Sequence, residues 1–370
     1  MKDLGVRGLA ALAVVYVVWG STYVAIDMAL AAVPPMVLMA ARFALAGGLL
    51  FAWTRLRADG TLTPPTLRQW AAASLTGTLL LVGGTGLVAL AMTWLATGTT
   101  ALVAATVPVW MALFGRALFG DRLSTRATLG LSLGLLGIAV LVDPAGGQVT
   151  GLLIALAGAV AWAAGSMRSR IVSAPSRPLI AASMEMLGSV PGFLLLAGLR
   201  GEFSMVDVAG ITPGVVLAFV YLVTAGSIVA FTAYRWLLLH AAPTIVGTHA
   251  YVNPMVAVLL GWAVLGEQLT GRMLVAGAIV VLSTGLVVTG RPNVPVPAQL
   301  TSGADVFVGV RRLRRVRAVG RRMSRVPAAA LRAGAVPAAR GYRAVRSVRR
   351  PIAVRHPGRR GVARRPEDLT

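Results

Sequence analysis

The sequence predicts an all-α, polytopic membrane protein: ten transmembrane helices as two inverted five-helix repeats, plus a basic C-terminal tail. Three observations predict it. Of 370 residues, 57% are hydrophobic, against about 45–50% in an ordinary soluble domain. The apolar residues fall in runs close to the roughly 20 residues that a helix needs to cross about 30 Å of hydrocarbon. Finally, one phrase is written twice. PVWMALFGRALFGDRLS at 108–124 is answered by PMVAVLLGWAVLGEQLT at 254–270, with Pro, Leu, Gly, Ala, Gly and Leu shared in register.

The first run, residues 10–31, follows MKDLGVRG at once and lacks a small-residue cleavage context. That predicts a spanning segment rather than a cleaved leader. AVPP separates it from the second, 36–54, and TRLRADGTLTPP precedes the third, 69–90. The fourth, 97–119, follows ALAMTWLATG with little punctuation. GDRLS, DPAGGQ, SRIVSAPSRP and RGEFSMVD then introduce 125–143, 150–168, 179–199 and 211–233. The ninth, 243–265, again lacks a sharp boundary, and GEQLTG opens the tenth, 271–290. A soluble helical protein would show amphipathic stripes with charge on the outward faces. Here nearly all charge sits at the breaks.

Lys and Arg in short loops orient such a chain. With a cytoplasmic N-terminus, the inner connections hold Lys2, Arg7, Arg55, Arg57, Arg68, Arg116, Arg122, Arg126, Arg168, Arg170, Arg177 and Arg235. The outer ones hold Arg200 and Arg272. Ten spans then return the C-terminus to the cytoplasm.

The repeated phrase is joined by further echoes, Trp19 with Trp162 and Arg42 with Glu185. These place one five-helix repeat at 1–145 and its partner at 150–290. Five is odd, so the second unit enters the membrane from the opposite side, as in many secondary transporters.

Composition excludes several classes. There is no cysteine, so no disulfide or thiolate chemistry is open to this chain. His240, His249 and His356 are scattered, which predicts no metal site. No GxxxxGK[ST], HExxH or GxSxG is present, so neither ATP-driven transport nor these kinds of hydrolysis is expected within the chain. The expectation is a protein that is not an enzyme and carries no cofactor.

Charges at membrane depth are costly and mark candidate sites. Arg42 lies about two turns into the second helix from its outer end, and Glu185 about two turns into the seventh from its inner end. Substrate or proton contact is one reading. Snorkelling to headgroups is the other for Arg42, and a structural pair is the other for Glu185. Asp27 reads as interfacial. Trp19, Ser21, Tyr23, Trp110, Trp162, Tyr234 and Thr248 are further groups able to line a solute path. In THAYVNP, His249 and Asn253 share a helix face beside Pro254, with Tyr251 between them. Pro108 and Pro254 each remove an amide donor and clash one turn back, so both are candidate kinks or gates. In the plainer reading, His249 and Asn253 satisfy each other at a packing kink.

These motifs carry a resemblance. WGSTYVAIDMAL, PPMVLMAARFALAG, MEMLGS and the paired phrases, within residues 10–290, look like the EamA-type members of the drug/metabolite transporter superfamily. The resemblance implies a ten-helix inner-membrane protein with inverted repeats that moves small solutes without ATP, with many relatives exporting amino acids or other metabolites. Positions matching the family's frequently polar or aromatic ones are Trp19, Gly20, Ser21, Arg42, Glu185, Tyr251, Asn253, Pro254, Gly266 and Glu267. The expected function is a secondary active exporter of a small metabolite or amino-acid-like solute, with proton coupling in view. An importer and a non-transporting scaffold or sensor stand as alternatives.

The tail, 291–370, needs its own reading. Residues 292–370 carry 19 basic and 3 acidic side chains, against 16 and 9 before them. Val310, Leu313, Val316, Val319, Met323 and Val326 recur at a spacing of three to four, with arginines between. This predicts a basic amphipathic stretch at 306–327 on anionic cytoplasmic headgroups; arginine-biased disorder is the alternative. Nucleic acid is not an expected partner, and the oligomeric state is left open.

Overall fold

The computed structural model describes residues 5–57, 64–121, 123–141, 148–168, 178–241, 243–246 and 248–290, without the side chains of 119, 235, 238, 239, 243 and 244. The basic tail 291–370, with its expected helix at 306–327, lies outside the described residues, as does Arg122. Among the described residues there is no strand.

The helices follow the Pro, Gly and Thr punctuation of the sequence. α1 is Gly5–Leu30 and α2 is Pro35–Leu56, opened by a proline whose missing N–H has no use in a first turn. α3 runs Leu67–Ala91, begun by a capping box in which Thr66 and Gln69 bond each other's backbone. α4 is Thr97–Leu118, α5 Thr125–Leu141, α6 Val149–Arg168 and α7 Pro178–Leu199. A short 3-10 turn, Glu202–Met205, leads to α8, made of Pro213–Tyr221, Leu222–Val229 and Ala230–His240. α9 is His249–Leu265, preceded by the single turn Pro243–Val246, and α10 is Gly271–Thr289. Eight of these are long and apolar enough to cross a membrane, while α5 and α9 are shorter apolar helices. The chain is thus a multi-pass membrane protein, helical throughout its described spans. Exposed Leu49, Leu195, Leu217, Leu259 and Leu282 suit a lipid-facing exterior.

In lipid the hydrophobic effect does not press helices together, so close packing at small residues has to do it. The α3–α7 crossing shows how. A Cβ added at Gly77 would lie 2.8 Å from the carbonyl carbon of Glu185 and nearer still to its oxygen. Backbone meets backbone there.

The helix pairing has a regularity. α2 packs on α7, α4 on α9 and α5 on α10. α1 packs on α9 and α6 on α4; α3 packs on α6 and α8 on α1; α3 packs on α7 and α8 on α2. Adding or subtracting five turns this set of pairs into itself.

The repeated phrase occupies the ends of α4 and α9. Gly120 and Gly266 take the left-handed conformation, φ 72° and 69°, which glycine adopts without a Cβ penalty. The amides of Asp121 and Glu267 then reach back to the carbonyls of Gly115 and Gly261, at 3.2 and 3.1 Å, ending both helices in the same way. The Glu267 carboxylate goes on to accept from the amides of Thr97 and Gly98, the latter at 3.1 Å, capping α4. Asp121 follows the other end of that same helix. The two copies of the phrase therefore end at opposite ends of α4, about 33 Å apart at 1.5 Å per residue.

Two features had no sequence-level forewarning. α3 and α8 each contain a π-helical stretch, Thr78–Gly86 and Leu222–Val229, at matching places in the two halves. Both hold glycine, and in α8 the Ser227 hydroxyl donates to the Leu222 carbonyl at 2.9 Å, five residues back. Wide turns of this kind often sit at functional positions.

Candidate substrate path

α1, α2, α8 and α9 bring polar and aromatic groups together around the wide turn of α8. Trp19 donates from Nε1 to the Gly226 carbonyl at 3.2 Å. Its ring lies 5.4 Å from Phe231, 5.0 Å from Tyr234 and 5.4 Å from His249, and Tyr234 and His249 are 5.5 Å apart. Three of these contacts are tilted edge to face, the geometry that ring quadrupoles favour. His249 Nδ1 is 2.8 Å from the Val246 carbonyl. A carbonyl only accepts, so Nδ1 carries a hydrogen and Nε2 is left for other partners.

Arg42 meets the same turn from α2. It is 4% exposed, so it is not snorkelling to the surface. Nε donates to Ser227 Oγ at 2.9 Å, Nη1 points at the Met39 thioether at 4.0 Å, and the guanidinium stands 5.0 Å from the Phe43 ring. A Cβ at Gly226 would lie 3.3 Å from Arg42 Nη2 and 2.8 Å from Thr22. The glycine is what lets Arg42 approach the turn.

The other expected residues are placed differently. Ser21 Oγ bonds the Tyr221 hydroxyl at 2.6 Å, joining α1 to α8. Tyr23 packs against the main apolar core formed by α1, α2, α3, α7 and α8. Trp110 donates at 3.3 Å to Oγ1 of Thr106, the residue that opens Val107–Phe114 after the break that follows Thr97–Ala104. Pro108 sits just past that break, which is where a kink was expected. Trp162 lies over Gly84 in the wide turn of α3, where a Cβ would be 2.7 Å from its ring. Trp19, by contrast, meets Gly226 in the wide turn of α8 through a hydrogen bond to its carbonyl. Glu185 is half-buried on α7, and its backbone lies at the α3 crossing.

On α9, Pro254 lies inside a continuous helix. Asn253 Oδ1 is buried without a hydrogen-bond partner, so His249 and Asn253 do not satisfy each other. The Asn253 backbone approaches α1, its carbonyl 3.0 Å from where a Cβ would stand on Gly20. Tyr251 is half-buried one residue beyond Ala250, near the hydroxyl-to-hydroxyl bond that links Tyr16 with Thr248. Tyr16, Tyr221, Gly226, Ser227 and Phe231 were not anticipated as site residues. Their signal is spatial: each is ordinary in its own helix and meaningful only across the α1–α8–α9 contact. Among the described residues, no group of three His, Asp or Glu comes together as a metal site.

Comparison with known proteins agrees with this architecture. The EamA-like transporter family matches twice, over residues 6–143 and 149–289. An inner membrane transporter of Escherichia coli strain K12, YedA, is 35% identical over 304 residues, covering 80% of this chain and 96% of the relative. A protein of Salmonella typhimurium described as a "Probable amino-acid metabolite efflux pump" is 28% identical over 293 residues, covering 75% and 92%. One solved crystal structure superposes with a TM-score of 0.54 at 22% identity, over 75% of this chain and 95% of the other. That likeness is one of fold.

Proposed function

Because this chain belongs to the EamA-like transporter family, and is a membrane transporter rather than an enzyme, we propose that it is a secondary active exporter of a small metabolite or amino-acid-like solute across the cell (inner) membrane, coupled to protons. The efflux description of the Salmonella relative supports the direction. The observation that carries the path is that Trp19 and Arg42 from the first half meet Gly226, Ser227, Tyr234 and His249 from the second. A solute held there touches both halves, so rocking one against the other moves it between the two sides. Ser21, Tyr23, Tyr251 and Asn253 flank that contact, with Trp110 and Trp162 farther along. Pro108 and Pro254 are the gate positions in this reading. Glu185, away from Arg42, is the proton carrier in this reading.

The proposal includes the topology: both termini cytoplasmic, with 1–145 and 150–290 as inverted repeats. The pairing pattern that maps onto itself supports this, as does the placement of Glu267 at the far end of α4 from Asp121. A chain without cysteine makes the check direct. Gln268→Cys is expected to react with a membrane-impermeant maleimide in intact cells, and Arg116→Cys only after permeabilisation. Equal labelling of both from outside would overturn the inversion.

Function is tested with purified protein in sealed vesicles. Saturable solute flux that accelerates under an imposed pH gradient is expected, with direction read in oriented vesicles. Glu185→Gln is expected to retain downhill flux and lose most of the response to the gradient. A full gradient response in that variant would remove Glu185 from the mechanism.

A further inference from the structure

Resting on the transport reading above, we infer that the solute is a net organic anion: a carboxylate with an apolar, flat body and no amine. Arg42 takes the carboxylate, and the Trp19–Phe231–Tyr234–His249 rings take the body.

The argument starts from what Arg42 lacks. A guanidinium carries five N–H donors and no acceptor. Here one meets an oxygen, that of Ser227, and one is directed at a thioether, a weak acceptor. No carboxylate among the described residues lies within ion-pair distance of it. Glu202 is engaged with Arg200 and with the start of α2, and Glu267 with the start of α4. Asp27 is eight residues from Trp19 along α1, about 12 Å at 1.5 Å per residue. Asp121 follows the end of α4, and Asp207 lies in the α7–α8 connection, bonded through its amide to Ala32. Glu185 is offset along the bundle, because it is Gly47, five residues past Arg42, that packs against Met186 and Leu187.

A charge buried to this degree is destabilising unless it gains an opposite charge and hydrogen bonds. A ligand carboxylate provides both, and a guanidinium suits it because the two planar groups can pair through parallel bonds. The same absence of acid argues against an amine on the solute, since a protonated amine would bring a second positive charge beside Arg42 with no carboxylate to offset it. The wide turn that Arg42 bonds through Ser227 is also bonded, through Gly226, by Trp19, one of four rings in a connected group, which fits a flat apolar body.

Four phenyl-bearing probes that differ in their charged groups separate the possibilities: phenylacetate, phenylacetamide, phenylalanine and phenethylamine. Binding to the purified full chain is read by calorimetry and by the shift in unfolding temperature. Phenylacetate is expected to bind at least tenfold more tightly than each of the other three. Arg42→Gln should weaken phenylacetate at least tenfold and leave phenylacetamide unchanged, while Arg42→Lys restores part of the affinity. The wild-type ranking decides the matter even where Arg42→Gln does not fold. Tighter binding of phenylalanine or phenethylamine than of phenylacetate, equal binding of all four, or no binding of any, overturns the inference. So does undiminished phenylacetate binding by a folded Arg42→Gln protein. Saturable flux of other solutes alongside such a result would leave transport standing and remove only the anion assignment. Phenylacetate binding with no saturable flux of any solute would do the reverse.

Discussion

Replacing Gly77 with valine is expected to abolish accumulation of folded protein, and Gly77→Ala to lower its stability by about 3 kcal/mol, at the upper end for overpacking. The added Cβ would lie 2.8 Å from the Glu185 carbonyl carbon and 3.0 Å from its Cα. These are backbone atoms in the middle of a helix, so no side chain can rotate away. Alanine's advantage in helix propensity, about 1 kcal/mol over glycine, is smaller than the clash. Across the same seam a Cβ at Gly188 would stand 2.6 Å from the Cα of Ser74, so α7 has no freedom to slide. Size-exclusion profiles and thermal unfolding in detergent read the effect. A Gly77→Ala protein as stable as the parent would show that the two helices do not approach as described.

The second large effect is expected at Glu202. Its side chain is almost wholly buried between α7 and α2. One carboxylate oxygen accepts from the amides of Met36 at 2.7 Å and Val37 at 3.3 Å, and the other from Arg200 Nε at 2.8 Å. The first turn of a helix has amides with no partner inside the helix and a partial positive charge, so a carboxylate there is well placed. Glu202→Ala removes the charged acceptor and strands one buried and one half-buried donor. Leaving those amides without their acceptor costs about 2 kcal/mol, in the range for a lost cap and for an unsatisfied buried group. Arg200→Ala is expected to lose under about 1 kcal/mol, because that side chain is 43% exposed and a solvated partner contributes little. Unfolding temperatures of the two variants should therefore differ clearly. Equal loss in both would mean that the ion pair, rather than the cap, matters.

Much of the fold was legible because membrane burial makes a coarse demand. Every helix must be long and apolar, so charge, proline and glycine collect at its ends. The repeated phrase marked the ends of α4 and α9, but the left-handed turn that Gly120 and Gly266 make there came from the structure. The wide turns in α3 and α8 could not be read from the sequence, since no residue type enforces that bonding pattern and GG or AGS merely permit it. Glu202 was passed over as part of a loop, for its partners are backbone amides 165 and 166 residues away. The site was legible in depth but not in azimuth. Arg42 and Glu185 were singled out by how far along their helices they lie. Only helix rotation decides that Arg42 and Trp19 reach the same wide turn of α8. The spacing of His249 and Asn253 put them on one face, yet each found a different environment.

The pairing of α5 with α10 has a consequence for how the chain is made. α5 is short, 17 residues, and its glycines rest on α10: a Cβ at Gly130 would stand 2.7 Å from the Ser283 carbonyl oxygen, and a Cβ at Gly137 the same distance from Val280. That partner emerges from the ribosome about 150 residues later, some 7–30 s at ordinary synthesis rates. During that interval α5 has its glycine face open to lipid or to whatever insertion machinery shelters it. Emergence of α10, rather than insertion of each earlier helix in turn, is the moment when the first half completes its own packing.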